Sequence, residues 1–467
     1  MKRFLVLALA LGVLLSVSWI SAAQESPIIL TLDEALARVE YHSDYQAWES
    51  SWENTGKSIQ TILDKHSLAL DISGDILSYT YDLDNDKSSL SSGAGLSLSK
   101  SSLLGTTFTG SVSPKWDISK DSTTTTWSLS LSQAIWPAPW FSSDQIALRT
   151  ADETKTVLLK QRNYVMENAH LKIERLYRTA QIAEARVAIA EAGLTTALRN
   201  QRVVEEKLAM GEAGELDLIN SKLNVLRAER DLESSRTAAD SAKANLLEAI
   251  GLAGDIQLAP LDISELPERL DDIDLDTLLA EVHNHPLVLP HEVDLIRAEL
   301  ELEAGQAASK PEASLRLSLG ERSQGGQGSG PAFTATVTIG YPLLDKNQRS
   351  STLETLSDNL ERARSAYEEA LEQVKVLFKE TAEEVKRLAR DVEIADLTLR
   401  QAELEWEAAQ LQYNAGLIDH SALDSAQLRL RQAQLEHYES MLNYSWAKRR
   451  LNRGLVGDLA VAGGQGR

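Results

Sequence analysis

Small and apolar residues recur at alternating steps of three and four through the C-terminal part of the chain: Leu360, Ala363, Tyr367, Ala370, Val374, Leu377, Thr381, Val385, Leu388, Val392, Ala395, Leu399, Ala402, Trp406, Ala409 and Tyr413. That spacing predicts one amphipathic helix with an alanine-rich seam, against which neighbouring helices pack closely. Two successive steps of four around Thr381 form a stutter, which relaxes left-handed supercoiling. Between Leu343 and Arg453 the chain has no proline and a single glycine, Gly416, so it reads as a helical hairpin turned at that glycine. From about Ser350 to Tyr413 the first arm measures roughly 100 Å at 1.5 Å per residue, too long for a globular core. The returning arm, with Leu423, Ala426, Leu430, Ala433, Met441, Tyr444, Ala447 and Leu451 on one face, reaches about half as far before Gly454 and Gly457. Another helical segment is needed to cover the rest.

An internal repeat supplies it. Leu32, Asp33, Leu36, Ala37, Val39 and His42 recur as Leu275, Asp276, Leu279, Ala280, Val282 and His285, a constant offset of 243. An offset of 205 then superposes Pro137 on Pro342, Gly211 on Gly416, Leu218 on Leu423, Ala242 on Ala447 and Leu246 on Leu451. The 38-residue difference is extra sequence in the first copy, between about Ser67 and Trp136. Each copy reads helix, strand region, long helix, glycine turn, half-length helix. The copies span 24–251 and 274–457, with 252–273 as an acidic crossover linker carrying Pro260 and Pro267, and 458–467 as a flexible C-terminal tail. The opening helices, about 31–65 and 274–309, are the half-length partners that the long helices require.

The strand regions alternate with period two. Phe333, Ala335, Val337, Ile339 and Tyr341 alternate with Thr334, Thr336, Thr338 and Gly340; Leu315, Leu317 and Leu319 mark the partner, and SQGGQGSGP joins the two. In the first copy Trp127, Leu129 and Leu131 alternate with serines, and Leu68, Leu70 and Ile72 mark the opposing strand. Strands of about ten residues, apolar on one face and Ser/Thr on the other, suit a transmembrane barrel. One chain has too few strands to close a barrel, and open edges are untenable in lipid, so the chain must oligomerise. With two spanning strands per copy, three chains give twelve. The extra segment 91–115, with Leu96, Leu98, Phe108, Gly110 and Val112, is expected to form an outer extension, the alternative being a further spanning hairpin.

The N-terminal residues 1–23 read as a secretory signal peptide: Lys2 and Arg3, an apolar core, and Ser21-Ala22-Ala23 before Gln24. No later run is long and apolar enough for a transmembrane helix. The formal net charge is −22, and −24 without Lys2 and Arg3, which argues against a nucleic-acid partner. The absence of cysteine leaves neither a disulfide framework nor an N-terminal lipid anchor on cysteine.

On these features the chain resembles the TolC family of outer-membrane efflux channels. The resemblance rests on the tandem repeat, the proline-marked passages SLSLSQAIWPAPW and TVTIGYPLLDKNQR, and the tip sequence YNAGLIDHSALDSAQLRLRQAQ. It implies a mainly α fold with a β-barrel portion: a homotrimeric outer-membrane β-barrel continued by a long periplasmic α-helical, coiled-coil tunnel that narrows at the glycine-turn tips. It implies a passive exit channel for efflux or type I secretion, set in outer-membrane lipid. The implied partners are a periplasmic adaptor (membrane fusion protein) and an inner-membrane pump of RND, ABC or MFS type. The turns that would meet the adaptor fall on Gly211, Glu212, Ala213, Gly214, Ala415, Gly416 and Leu417. The periplasmic entrance falls on Asp217, Asn220, Tyr413 and Asp424. The family's second-copy acidic positions fall on Ala422 and Ser425, and its arginine on Ile418, so an Asp/Arg latch does not carry over.

With Asp217 and Asp424 from three chains, six carboxylates would ring one opening and favour cations; Asp217 also reads simply as a helix cap. No cofactor and no enzymatic activity are expected. His283, His285 and His291 cluster in sequence, but without cysteine or an acidic set at ligand spacing they read as capping residues around Pro286 and Pro290. A soluble periplasmic coiled-coil adaptor or scaffold is the alternative from a different class, and it leaves the two strand regions unexplained.

Overall fold

Both predicted helical hairpins form, and the long helices and the starts of the returning helices repeat at the expected offset of 205. A computed structural model describes residues 28–82, 87–137, 141–254, 256–263, 275–324, 327–328, 330–341 and 347–457; the expected signal peptide (1–23) and C-terminal tail (458–467) lie outside these. In chain order the elements are β1 (Ile28–Leu30), α1 (Leu32–Leu36), α2 (Ser43–Lys65), β2 (Leu68–Asp82), β3 (Lys87–Ser101), β4 (Thr106–Asp117), β5 (Ser122–Trp136), α3 (Ser143–Ala209), α4 (Glu215–Ala249), β6 (Ile256–Leu258), α5 (Leu275–Ala280), α6 (Leu289–Ala308), β7 (Glu312–Gln324), β8 (Gln327–Gly328), β9 (Ala332–Gly340), α7 (Gln348–Asn414) and α8 (His420–Asn452). The long helices α3 and α7 have 67 residues each. From Leu360 to Ala409 the predicted α7 seam is its half-buried or buried face, with Ala370, Val374, Ala402 and Ala409 buried, while Tyr413 at its end is exposed.

Two units divide the chain, one drawn from Met1–Tyr45, Glu167–Leu270 and Val385–Arg449, the other from Gln46–Met166, Asp271–Glu384 and Arg450–Arg467. In the first, Leu30, Ala35 and Val39 pack against Ala169, Ile173, Tyr177 and Ala180 of α3, Leu246 and Ile250 at the end of α4, and Ile256 and Leu258. Each such large aliphatic side chain contributes about 1.5–3 kcal/mol on burial. The tyrosine hydroxyl of Tyr177 donates to the Leu30 carbonyl at 2.9 Å, which satisfies it inside this core. The linker is more than a crossover, because β6 within it pairs in parallel with β1, Ile28 opposite Ile256 and Leu30 opposite Leu258.

Neither opening helix is continuous. Each copy has a short helix, a single 3-10 turn (Val39–Tyr41, Val282–Asn284) and then the longer helix. The repeated histidine makes the break. His42 and His285 are buried, and the Nδ1 of each accepts a backbone N–H two residues on, from Asp44 and from Leu287, both at 3.2 Å. A ring nitrogen that accepts carries no proton. In the second unit, His285 Nε2 therefore donates to the Gly454 carbonyl at 2.9 Å, and its ring lies edge-on to Tyr164 and Phe378. Burial lowers the pKa of both histidines below the ordinary 6.5, opposed at His42 by Asp44 and at His285 by the Gly454 carbonyl. A group with a depressed folded pKa binds its proton more readily in the unfolded chain. The two histidines thus favour folding above pH 6.5, and that contribution is lost as pH falls below it. The Tm of the wild type should drop between pH 7 and pH 5 more steeply than that of the His42→Gln/His285→Gln variant; equal slopes would contradict the assignment.

In the second unit a single antiparallel sheet runs β2-β3-β4-β5-β7-β9, with the two-residue β8 on β7. One expectation is corrected here: β5 does not oppose β2, because the β3–β4 hairpin separates them and β5 pairs with β7 instead. Segment 91–115, expected as an outer extension or a further spanning hairpin, falls on β3, β4 and the turn between them. Alternation reports which face a residue takes, and is blind to which strand lies beside it.

Candidate functional site

The sheet carries one apolar and one polar face through all six strands. Paired residues share a face, and the register places Ile72 beside Leu96, Leu96 beside Val112, Val112 beside Trp127, Leu129 beside Leu319 and Leu319 beside Phe333. The opposite face carries Ser97, Ser111, Ser128, Ser318 and Thr334. Its hydroxyls bond across strands, Thr109 Oγ1 with Ser130 Oγ at 2.6 Å and Ser111 Oγ with Ser128 Oγ at 2.8 Å. Aromatic residues flank the apolar band: Tyr79, Trp116 and Trp127 toward one end, Trp136 and Tyr341 toward the other. Trp127 and Trp136 lie nine residues apart, roughly 30 Å along a strand, or about 23 Å for strands tilted by about 40°. That matches the roughly 25 Å apolar band between aromatic girdles of a membrane barrel. Lys310 lies over the Trp136 ring and Arg349 over the Tyr341 ring, the latter at 4.6 Å, pairing cations with one girdle. Such a wall has one face suited to lipid and the other to water.

The sheet is open, and its edges are not protected. All nine residues of β9 are exposed, as are Leu68, Leu70 and Ile72 on β2. Soluble proteins blunt such edges.

In the first unit the helices are held in register by ion pairs. Glu174–Arg449, Arg186–Glu439 and Arg199–Asp424 join α3 to α8, Glu184–Lys243 and Glu191–Arg236 join α3 to α4, and Glu405–Arg429 joins α7 to α8. As one partner's number rises the other's falls, so each joined pair is antiparallel and the order is α4-α3-α8-α7. The Arg449–Glu174 pair is bidentate, at 2.7 and 2.9 Å. The outer helices of this layer expose apolar stripes: Leu216, Ile219, Leu223 and Leu226 on α4, and Ile394, Leu397, Leu404 and Leu411 on α7. These stripes recur at helical spacing, the pattern of a seam with no partner among the described residues.

Both hairpins of this unit end in the same glycine cap. Gly211 and Gly416 have φ of +78° and +72°. Gly211 N–H donates to the Leu208 carbonyl and Glu212 N–H to Lys207; Gly416 N–H donates to Tyr413 and Leu417 N–H to Gln412. These are paired i−3 and i−5 bonds of a Schellman motif, which requires a left-handed residue. A Cβ on either glycine would meet nothing within 4 Å, so the turns stand open. Around them Glu212, Gly214, Ala415 and Leu417 are exposed and Ala213 half-buried, with Met210, Leu216 and Leu417 adding exposed apolar surface.

The four residues expected at an entrance differ in environment. Asp217 is exposed and accepts the Gly214 N–H at 2.9 Å, capping α4. Asp419 does the same for α8 through Ala422 N–H at 2.9 Å. Asn220 is exposed, and Tyr413 rests against His420 with ring centroids 5.6 Å apart. Asp424 is only 17% exposed and is paired with both Arg199 and, at 3.3 Å, His420. Its charge is therefore compensated, whereas Asp217 has no ion pair among the described residues. Arg199 went unnoticed in the sequence because its partner is 225 positions away; only the α3–α8 register reveals it. Among the described residues, no group of His, Asp or Glu could hold a metal ion, and no helix is long and apolar enough to cross a membrane.

Residues 281–455 match the family model "Outer membrane efflux protein". No curated protein matches the chain. Among solved structures it is similar to the CusC channel (13% identity, TM-score 0.66, covering 95% of this chain and 96% of that one). It is also similar to the outer membrane protein VceC of Vibrio cholerae (13% identity, TM-score 0.64, 91% and 96%). The Campylobacter jejuni CmeC outer membrane channel is similar as well (13% identity, TM-score 0.65, 93% and 89%). At these identities the likeness is one of fold.

Proposed function

We infer from the match of residues 281–455 to the outer membrane efflux protein family that this chain is an exit channel of the outer membrane: a passive conduit that carries cargo from an inner-membrane pump to the exterior. The observation that carries the inference is the two-faced sheet with open edges. Apolar on one side and lined with Ser and Thr on the other, it suits a wall between lipid and water only when closed by further copies. The exposed stripes of α4 and α7 lie on the two outer helices of their layer, which suits a cyclic, head-to-tail ring. A homotrimer is the assembly this reading adopts. No helical adaptor or scaffold needs such a sheet, so the soluble alternative is not favoured. Membrane fractionation tests this reading: the protein should stay with the outer membrane until detergent is added. Free release of soluble protein would return the adaptor reading to the front.

The tip residues take proposed roles. Gly211 to Gly214 and Ala415 to Leu417 present the docking surface for the hairpins of a periplasmic adaptor, supported by the open glycine turns and the exposed apolar residues around them. Asp217 from each chain supplies a ring of carboxylates at the entrance, with Asn220 and Tyr413 beside it. Asp217→Asn keeps an acceptor for the Gly214 N–H while removing the charge, so it separates selectivity from capping. Trimers in planar bilayers should be cation-selective, and Asp217→Asn should reduce that selectivity severalfold. Unchanged selectivity would leave Asp217 as a cap alone. Pump class and cargo rest with the partners.

A further inference from the structure

We propose that β3 and β4 are wall strands of the channel, so that three copies close an eighteen-stranded barrel instead of the twelve-stranded one that two strands per repeat would build. The proposal rests on the reading of the chain as a trimeric outer-membrane channel. It starts from where the 38 extra residues of the first repeat lie. A hairpin projecting outward would pair mainly with itself, beyond the ends of its neighbours. Instead β3 pairs with β2 from Leu68↔Lys100 to Asp82↔Lys87, and β4 pairs with β5 from Thr106↔Gln133 to Asp117↔Ser122. The inserted hairpin thus lies alongside the whole of β2 and along β5 from Ser122 to Gln133.

Its chemistry is also that of the wall. Leu96 and Val112 continue the apolar row between Ile72 and Trp127, while Ser97 and Ser111 continue the hydroxyl row on the other face. An extension standing in water has no need to keep that alternation in register with four other strands. At 15 and 12 residues, β3 and β4 are longer than the roughly 9–11 residues that a tilted spanning strand needs. Six strands per chain is an even number, so β9 runs opposite to β2. Rotation about the barrel axis then brings β9 of one copy antiparallel to β2 of the next, joining the two exposed edges.

Strand count fixes width. With strands about 4.8 Å apart and tilted by about 40°, eighteen strands give a backbone diameter of about 36 Å and twelve about 24 Å. The lumen face is mostly Ser and Thr, with Gly93, Gly95 and Gly320 among them, so little side-chain volume narrows it. The passage through the outer membrane is accordingly wide.

The natural chain has no cysteine, so introduced thiols report alone. Leu96→Cys and Val112→Cys test the hairpin, and Leu129→Cys and Leu317→Cys serve as references, each in trimers reconstituted into phospholipid vesicles. All four should resist a membrane-impermeant maleimide, and a fluorophore attached at each should be quenched by brominated phospholipid to within about twofold of the others. Reaction at Leu96→Cys and Val112→Cys with the references shielded would overturn the eighteen-stranded barrel and leave the channel reading intact. Reaction at all four would overturn both. End-on electron-microscopy images of the wild-type trimer need no substitution: a barrel ring of about 36 Å is expected, and one of about 24 Å would overturn the proposal.

Discussion

Leu129→Arg should prevent recovery of the assembled protein from membranes, whereas Ser130→Arg, one position on, should leave it assembled. Leu129 is at the centre of β5, on the apolar face, opposite Gly110 and Leu319. An arginine at the lipid-facing midplane of a barrel costs about 2–4 kcal/mol, so three copies together cost about 6–12 kcal/mol per trimer. That is comparable to the whole stability of many folded proteins. Ser130 points to the other face, where its hydroxyl meets that of Thr109. An arginine there stays in water and forfeits one hydroxyl bond, worth about 1 kcal/mol. The amount of trimer extracted by mild detergent compares the two. Similar recovery for both variants would mean that the apolar face does not contact lipid.

Gly416→Arg should reduce export to the level of cells lacking the protein while leaving the assembly intact. The left-handed conformation at this turn costs a residue with a Cβ about 1–2 kcal/mol, too little to unfold two long helices with their own ion pairs and seams. No atom lies within 4 Å of the added Cβ, so the arginine projects outward, into the proposed docking surface. Gly416→Asn separates backbone from surface, since asparagine tolerates the left-handed region and adds no charge. It should retain a substantial part of the export. Export that survives Gly416→Arg would remove the turn from the docking surface.

How much of this was readable from the chain differs by element. The long helices, their glycine turns and the two sheet faces follow from periods of 3.6 and 2 and from the offset of 205, which the bounds of the two long helices reproduce. The breaks in the opening helices were not foreseen, although the cause, His42 and His285, was in view: a side chain that accepts a backbone N–H leaves no mark on hydrophobic periodicity. β1 and β6 have three residues each, too few to show alternation. The placement of β3 and β4 between β2 and β5 depends on pairing energies between strands, which alternation within one strand does not carry. At the tips, Gly211 and Gly416 were legible because a left-handed cap selects glycine. The Arg199–Asp424 pair was not, because helix register is set by seams along the whole of α3 and α8.

The central claim is that one chain makes only part of a membrane wall and that three chains complete it. The mass of the detergent-extracted particle, measured with bound detergent accounted for, tests this most directly. The account predicts three times the mass of the mature chain, stable on dilution; a particle with the mass of one chain or two would contradict it.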